Sequence, residues 1–335
     1  MSRISRRGLI GAAAAAPLAI GRRARAADRT LDERGFVRIG GIEQWIAVQG
    51  RDRANPVILF LHGGPGQASS PFLDDFVPWQ ADFTIANWDQ RGAAKTYGRN
   101  GAATPDMTLD RMVADTVEVA EHLRRRLGKR RIVLVGHSWG SVLGLEAIKR
   151  RPELFHAFVG TGQVVNNVAG LESQERWARQ QAMASGDKAA LEALDAAARL
   201  PVSDPRRVQA PGRWILSASD AACLKMRSQA LGPPTPAGTG DAADYRAGLG
   251  FSAAKFLPVV MGFDARKLGL DLAVPYAVIQ GRDDHITPTD LARAYVEEVR
   301  APRKAFIPID GGHLACFTNP DGMVGALRTV RSWTA

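Results

Sequence analysis

Residues 131–141 read Arg-Ile-Val-Leu-Val-Gly-His-Ser-Trp-Gly-Ser, and no other stretch constrains the chain as strongly. The β-branched apolar run from Ile132 to Val135 suits a buried strand, and Ser141 to Arg150 has a helical pattern that ends near Pro152. Between them lies Gly136-His137-Ser138-Trp139-Gly140, so a strand must become a helix within one sharp turn. Such a turn lifts Ser138 onto a strained tip with its hydroxyl exposed, while Gly136 and Gly140 carry no side chain to hold strand and helix apart. The N-terminus of the helix directs free N–H groups at negative charge developing beside Ser138. A glycine-rich turn with an inert serine has the same local pattern, so the meaning of this one depends on partners elsewhere in the chain.

A chain of 335 residues with 45% hydrophobic content can bury a sizeable core, and it suits one large α/β domain carrying an insertion. The formal charge of +10 would suggest a nucleic-acid partner if it were spread over the surface. It is not. Arg3, Arg6, Arg7, Arg22, Arg23 and Arg25 account for six of the 44 basic residues within the first 26 positions, which hold no acid, and this leaves 38 basic against 34 acidic residues. No nucleic-acid partner is expected. Residues 1–26 join a basic start, an alanine-rich apolar middle to Ile20 and Ala24-Arg25-Ala26, the layout of a cleavable export signal. The pair Arg6-Arg7 after Ser5 resembles the twin-arginine class, and the apolar part is too short to span a membrane, so an exported, periplasmic protein without a stable membrane anchor is expected. Cys223 and Cys316 lie in different parts of the chain and are expected to stay unpaired, and no Cys/His spacing indicates a metal.

Taken in order, Glu33 to Ile39 and Ile42 to Gln49 read as an opening hairpin about Gly40-Gly41, and Pro56 to Leu61 as a central strand buried on both faces. That strand delivers the chain to His62-Gly63-Gly64-Pro65-Gly66, a loop flexible enough to turn an amide toward the space above the sheet. Phe83 to Trp88 forms the next strand and ends in Asp89-Gln90-Arg91-Gly92, whose charges are expected to hold a turn. Met107 to Leu127 has helical spacing with basic residues at its C-terminal end. After the elbow helix and a strand over Leu154 to Thr161, the alternation of strand and helix stops. Residues 163–255 read as helices, including Leu171 to Ser185 and Lys188 to Ala198, with Pro/Gly-rich connections. This is a helical cap, expected to shape the substrate pocket, inserted between core segments 27–162 and 256–335. The pattern then resumes with strands over Val274 to Gln280 and Lys304 to Ile309.

A serine hydroxyl becomes a nucleophile when a base takes its proton and a third group orients that base. On a strand–turn–helix elbow the partners follow in the order Ser, acid, His. His313, on the glycine-rich loop after the last strand, is the candidate base, because His285 sits beside the candidate acids on their own loop. Asp283 and Asp284 both follow a strand end, and either suits the acid. The N–H groups of Gly64 and Trp139 are the candidate oxyanion hole.

His62-Gly63-Gly64-Pro65-Gly66, Trp88-Asp89-Gln90-Arg91-Gly92, Gly136-His137-Ser138-Trp139-Gly140-Ser141, Gly281-Arg282-Asp283-Asp284 and Gly312-His313 together resemble the proline iminopeptidases (prolyl aminopeptidases) of the α/β-hydrolase superfamily. The resemblance implies an α/β-hydrolase fold: a mostly parallel central sheet covered by helices on both faces, with the helical cap after the strand that follows the nucleophile helix. It further implies Ser138 as nucleophile, His313 as base, Asp284 as acid by its place between Gly281 and Pro288, no cofactor, and release of N-terminal proline from small peptides. Members bind the substrate amine with cap carboxylates, one of them in a Trp-x-x-Trp-Glu pattern that is missing here. Glu172 and Glu175, before Trp177 on one helix face, are the candidate replacements, against the plainer alternative of a solvated face. A carboxylesterase acting on a small ester is the alternative on the same machinery, and a silent binding protein is the alternative outside catalysis. Epoxide hydrolases and haloalkane dehalogenases need a carboxylate where Ser138 stands.

Overall fold

The computed structural model describes residues 29–232 and 241–333, so the export-signal expectation for residues 1–26 lies outside the described residues. In chain order the elements are β1 (Leu31–Ile39), β2 (Ile42–Gly50), β3 (Val57–Leu61), an irregular helical stretch Ser70–Ala81, β4 (Thr84–Trp88), α1 (Ala94–Asn100), α2 (Leu109–Leu127), β5 (Ile132–His137), α3 (Trp139–Arg150) and β6 (Phe155–Thr161). There follow α4 (Asn167–Ala184), α5 (Lys188–Ala198), α6 (Ala218–Leu231), α7 (Asp241–Gly262), β7 (Tyr276–Gly281), α8 (Thr289–Glu298), β8 (Lys304–Ile309) and α9 (Pro320–Arg331), with several shorter helical turns between them.

The eight strands form one sheet in the order β1-β2-β4-β3-β5-β6-β7-β8. The pairs β1/β2 and β2/β4 are antiparallel, and every pairing from β4 to β8 is parallel. Period-two alternation sends successive residues of the central strands into different cores. Val57, Leu59, Leu61, Ile132 and Leu134 pack on one face with Val113, Leu123, Leu143 and Tyr295. Ile58, Phe60, Val133 and Val135 pack on the other with Phe76, Trp79, Met323 and Leu327. Covering both faces with apolar side chains is what makes these strands continuous hydrophobic runs in the sequence.

Local signals set most helix ends. Thr108 caps α2 by accepting from Arg111 N, and Gly128 closes it in the left-handed region at φ +64°. Asn166 caps α4 by accepting from Ala169 N, so this helix begins four residues before the expected Leu171. The expected cap edge at 255 falls inside α7, which continues to Gly262. Ser252 on α7 donates its hydroxyl to the Gly92 carbonyl at 2.8 Å, and this ties the helix to the loop after β4.

That loop is held by a buried ion pair. The Arg91 guanidinium donates to both oxygens of Asp115 at 2.7 and 3.2 Å and to the carbonyls of Gly40 and Pro105 at 2.7 and 3.0 Å. Neither side chain is exposed to solvent. Gln44 and Arg111 fill the remaining acceptor sites of Asp115 at 2.8 and 2.9 Å. Removing one partner strands the other charge, so Asp115→Ala should lower the unfolding free energy by about 3–5 kcal/mol. Urea denaturation checks this, and a loss below about 1 kcal/mol would show that Arg91 finds water instead.

Candidate active site

The C-terminal ends of the parallel strands bring the candidate residues together. Ser138 closes β5 with φ +54° and ψ −119°, a conformation that costs energy in a residue bearing a Cβ. It is held by its N–H, which donates to Thr161 O at 2.9 Å, and by its carbonyl, which accepts from Ser141 Oγ at 2.6 Å. A Cβ on Gly140 would overlap the Leu61 carbonyl, and one on Gly136 would overlap the Gly140 carbonyl, so both glycines are required by close backbone approach. Ser138 remains partly accessible, whereas Ile132 to His137 before it and Trp139 to Leu145 after it are buried.

Asp284 lies in the loop after β7 and His313 in the loop after β8. His313 Nδ1 and Asp284 Oδ2 are 3.0 Å apart, and the two side chains are 8% and 0% exposed. Asp284 Oδ2 also accepts from Gln280 Nε2 and Thr287 Oγ1, each at 2.8 Å, and Oδ1 accepts from the N–H groups of Ile286 and Thr287 at 3.0 and 2.8 Å. A carboxylate accepting so many donors is fixed in place. It fixes the tautomer as well: Nδ1 carries the proton, and Nε2 is left as the basic nitrogen. Of the two candidate acids, Asp284 is the one beside the imidazole, and Asp283 is exposed. His285 stacks on Trp177 with ring centroids 3.9 Å apart.

His137 brings elbow and imidazole together, its ring centroid 4.9 Å from that of His313 and its Nε2 3.1 Å from His313 O. A Cβ on Gly162 would touch both rings. Among the described residues the Ser138 hydroxyl makes no hydrogen bond, a common condition of a ligand-free site, where catalytic contacts tighten once substrate binds. The glycine loop after β3 lies against the elbow: a Cβ on Gly63 would come within 3.1 Å of Ser138 Cβ, and Gly64 takes φ +112°. Among the described residues neither Gly64 N–H nor Trp139 N–H has an acceptor. His62 secures this loop by accepting from Gln90 N at 3.2 Å, and Gln90 in turn accepts from Trp139 Nε1 at 3.2 Å.

The two candidate amine ligands of the cap have different surroundings. Both Glu175 oxygens are taken by Arg207, at 2.7 and 3.1 Å, and Glu172 is exposed. Trp177 donates to Trp214 O at 3.0 Å and lines, with Arg176, Arg282, Asp284 and His285, a cleft of about 480 Å³. Helical spacing placed the two glutamates close together, but an arginine from a later turn claimed one of them. The site also contains groups that no motif signalled. Gln280 and Thr287 hold Asp284, and the fully buried Asp220 of α6 accepts from the N–H groups of His313 and Leu314, each at 2.8 Å. No motif or spacing in the sequence pointed to any of the three. Cys223 and Cys316 are both buried and unbridged, and among the described residues no group of His, Cys, Asp or Glu is arranged to hold a metal ion.

Residues 56–320 match the family model of the alpha/beta hydrolase fold, and the chain belongs to that family. Within it, the chain is 28% identical to the probable aminopeptidase YbaC of Bacillus subtilis over 81% of this chain and 87% of the relative. A probable proline iminopeptidase of Streptomyces coelicolor is 37% identical over a shorter region, 34% of each chain. In three dimensions, a proline iminopeptidase-related protein from Thermus thermophilus superposes with a TM-score of 0.64 at 20% identity, covering 91% of this chain and 98% of the other. The protein is thus an α/β hydrolase, similar to proteins named as a probable aminopeptidase and a probable proline iminopeptidase.

Three titrations distinguish the histidines of the site. Burial holds His62 down at about 4. Burial and the neighbouring His313 hold His137 well below the ordinary range, so both rings are neutral structural groups. Burial also pulls on His313, but attraction and hydrogen bonding from Asp284, with attraction from Asp220, outweigh it and raise this imidazole above the ordinary 6.5. Titration of the His313 ring protons by NMR should therefore give a value above 6.5, and Asp284→Asn should bring it below 6.5 because burial then acts almost alone. An unchanged value in the variant would separate Asp284 from the imidazole.

Proposed function

We propose that the protein is a serine hydrolase working through an acyl-enzyme, with Ser138 as nucleophile, His313 as base and Asp284 as the group that orients and stabilises the imidazole. The observation that carries this reading is a partly accessible serine on a strained elbow, next in sequence to His137, whose ring packs against the imidazole of a buried carboxylate–imidazole pair. Ser138 Oγ attacks the substrate carbonyl as its proton passes to His313 Nε2, and the Gly64 and Trp139 N–H groups receive the developing oxyanion. Collapse expels the amine or alcohol, which takes the proton from His313. Water then repeats the cycle on the ester of Ser138.

For the substrate, release of an N-terminal proline from small peptides is the leading reading, supported by the likeness to a probable aminopeptidase and a probable proline iminopeptidase. Cleavage of small carboxylic esters is the alternative, and one observation favours it: Arg207 occupies the cap carboxylate nominated for the substrate amine. Export to the periplasm through residues 1–26 is part of the same proposal. It rests on the basic, apolar and small-residue succession there.

Proline p-nitroanilide and p-nitrophenyl butyrate, each offered to the mature protein, test the substrate. Efficient amide cleavage supports the aminopeptidase, and turnover of the ester alone transfers the proposal to the esterase. In either case Ser138→Ala and His313→Ala should lower kcat by on the order of 10⁴-fold or more. A variant that keeps the wild-type rate removes its residue from the mechanism.

A further inference from the structure

Asp220 is a buried carboxylate in the first turn of α6, on the inserted segment, and among the described residues it has no ion-pair partner. Burying a charge in this way is costly unless strong donors surround it. Its donors come from the base loop: His313 N–H to Oδ2 and Leu314 N–H to Oδ1, each at 2.8 Å. Contact is so close that a Cβ on Gly312 would overlap the carboxylate. Farther along α6, Arg227 pairs with Asp75 and lies over the rings of Phe72 and Phe317, at 4.6 and 4.3 Å. Phe317 belongs to the short helix that follows His313. One helix of the insertion therefore grips the base loop at two points.

We propose that Asp220 is a positioning residue for His313: it anchors the base through two main-chain N–H groups and places a second negative charge beside the imidazolium formed during attack. Docking of α6 and readiness of the base are then one event. The groups facing His313 are Asp284 from the acid loop, Asp220 from α6 and the neutral His137 from the elbow. The nearby cation Arg227 is paired with Asp75. Attraction from Asp220 contributes to holding the imidazole above its ordinary value. The proposal rests on the serine-hydrolase reading of Ser138 and His313.

A fluorophosphonate, which needs no knowledge of the substrate, tests it. The inactivation rate constant is measured from about pH 5 to about pH 9 for the wild type, Asp220→Asn, Asp220→Ala and Ser138→Ala. It reports the reactive molecules alone, so incomplete folding of a variant does not distort it. In Asp220→Asn the acidic limb should move down by about half a unit to one unit, because the neutral amide no longer favours the imidazolium. Asp220→Ala should also lose on the order of 10²-fold at the plateau, since the loop loses both acceptors. A limb that stays at the wild-type position in Asp220→Asn overturns the proposal, whether or not the plateau falls, because a purely structural role would leave the titration unmoved. Failure of the wild type to label at Ser138 removes the serine-hydrolase reading, and this proposal with it.

Discussion

The site depends on a backbone conformation that Ser138 does not adopt willingly. At φ +54° and ψ −119° the residue is strained, and it stays there because its surroundings allow no alternative. Its N–H is committed to Thr161, its carbonyl to Ser141, and the strand before it is paired with β3 and β6. The helix after it lies so close to β3 that only hydrogen fits at Gly140. Relaxing the serine would require the centre of the sheet to move. Strain at one residue is thus sustained by two hydrophobic cores, and its result is an accessible hydroxyl in an otherwise buried stretch.

Around the elbow, the carboxylates nearest the base loop are held by donors. Asp284 and Asp220 are saturated, by four residues in one case and two main-chain N–H groups in the other. Arg91 and Asp115 neutralise each other and brace the loop after β4. Among the described residues His62 and His137 have no carboxylate partner, and burial keeps them uncharged. Of these three, His313 alone has carboxylates beside a buried imidazole, and they raise it above the ordinary imidazole value.

The inserted helices join this arrangement less as a separate lid than as part of its frame. Trp177 of α4 stacks on His285 beside the acid, Gln174 donates to Ile286 O at 2.7 Å, and α6 holds the base loop. Such contacts place the insertion's helices in the same network as the catalytic loops. They also use polar side chains that a cap might otherwise turn toward substrate, as Glu175 illustrates with its commitment to Arg207.

The sheet, the elbow and the glycine loop were readable from the chain, and Ser138 and His313 stood out as candidates, because each rests on local signals: β-branched runs, glycines where backbones approach, and loops that end strands in a set order. Spacing left Asp283 and Asp284 equivalent, and resemblance favoured the one that geometry brings to the imidazole. Gln280, Thr287 and Asp220 were not readable, nor was the occupation of Glu175. Asp220 stands 93 residues before its partner His313, and Arg207 is 32 residues beyond Glu175, on another helix. The sequence by itself determined which residues possess the chemistry, since reactivity belongs to side-chain type and local backbone. Which carboxylates are free, which are clamped and which face the base was decided only by tertiary structure, because hydrogen bonds and burial depend on neighbours that the fold alone brings together.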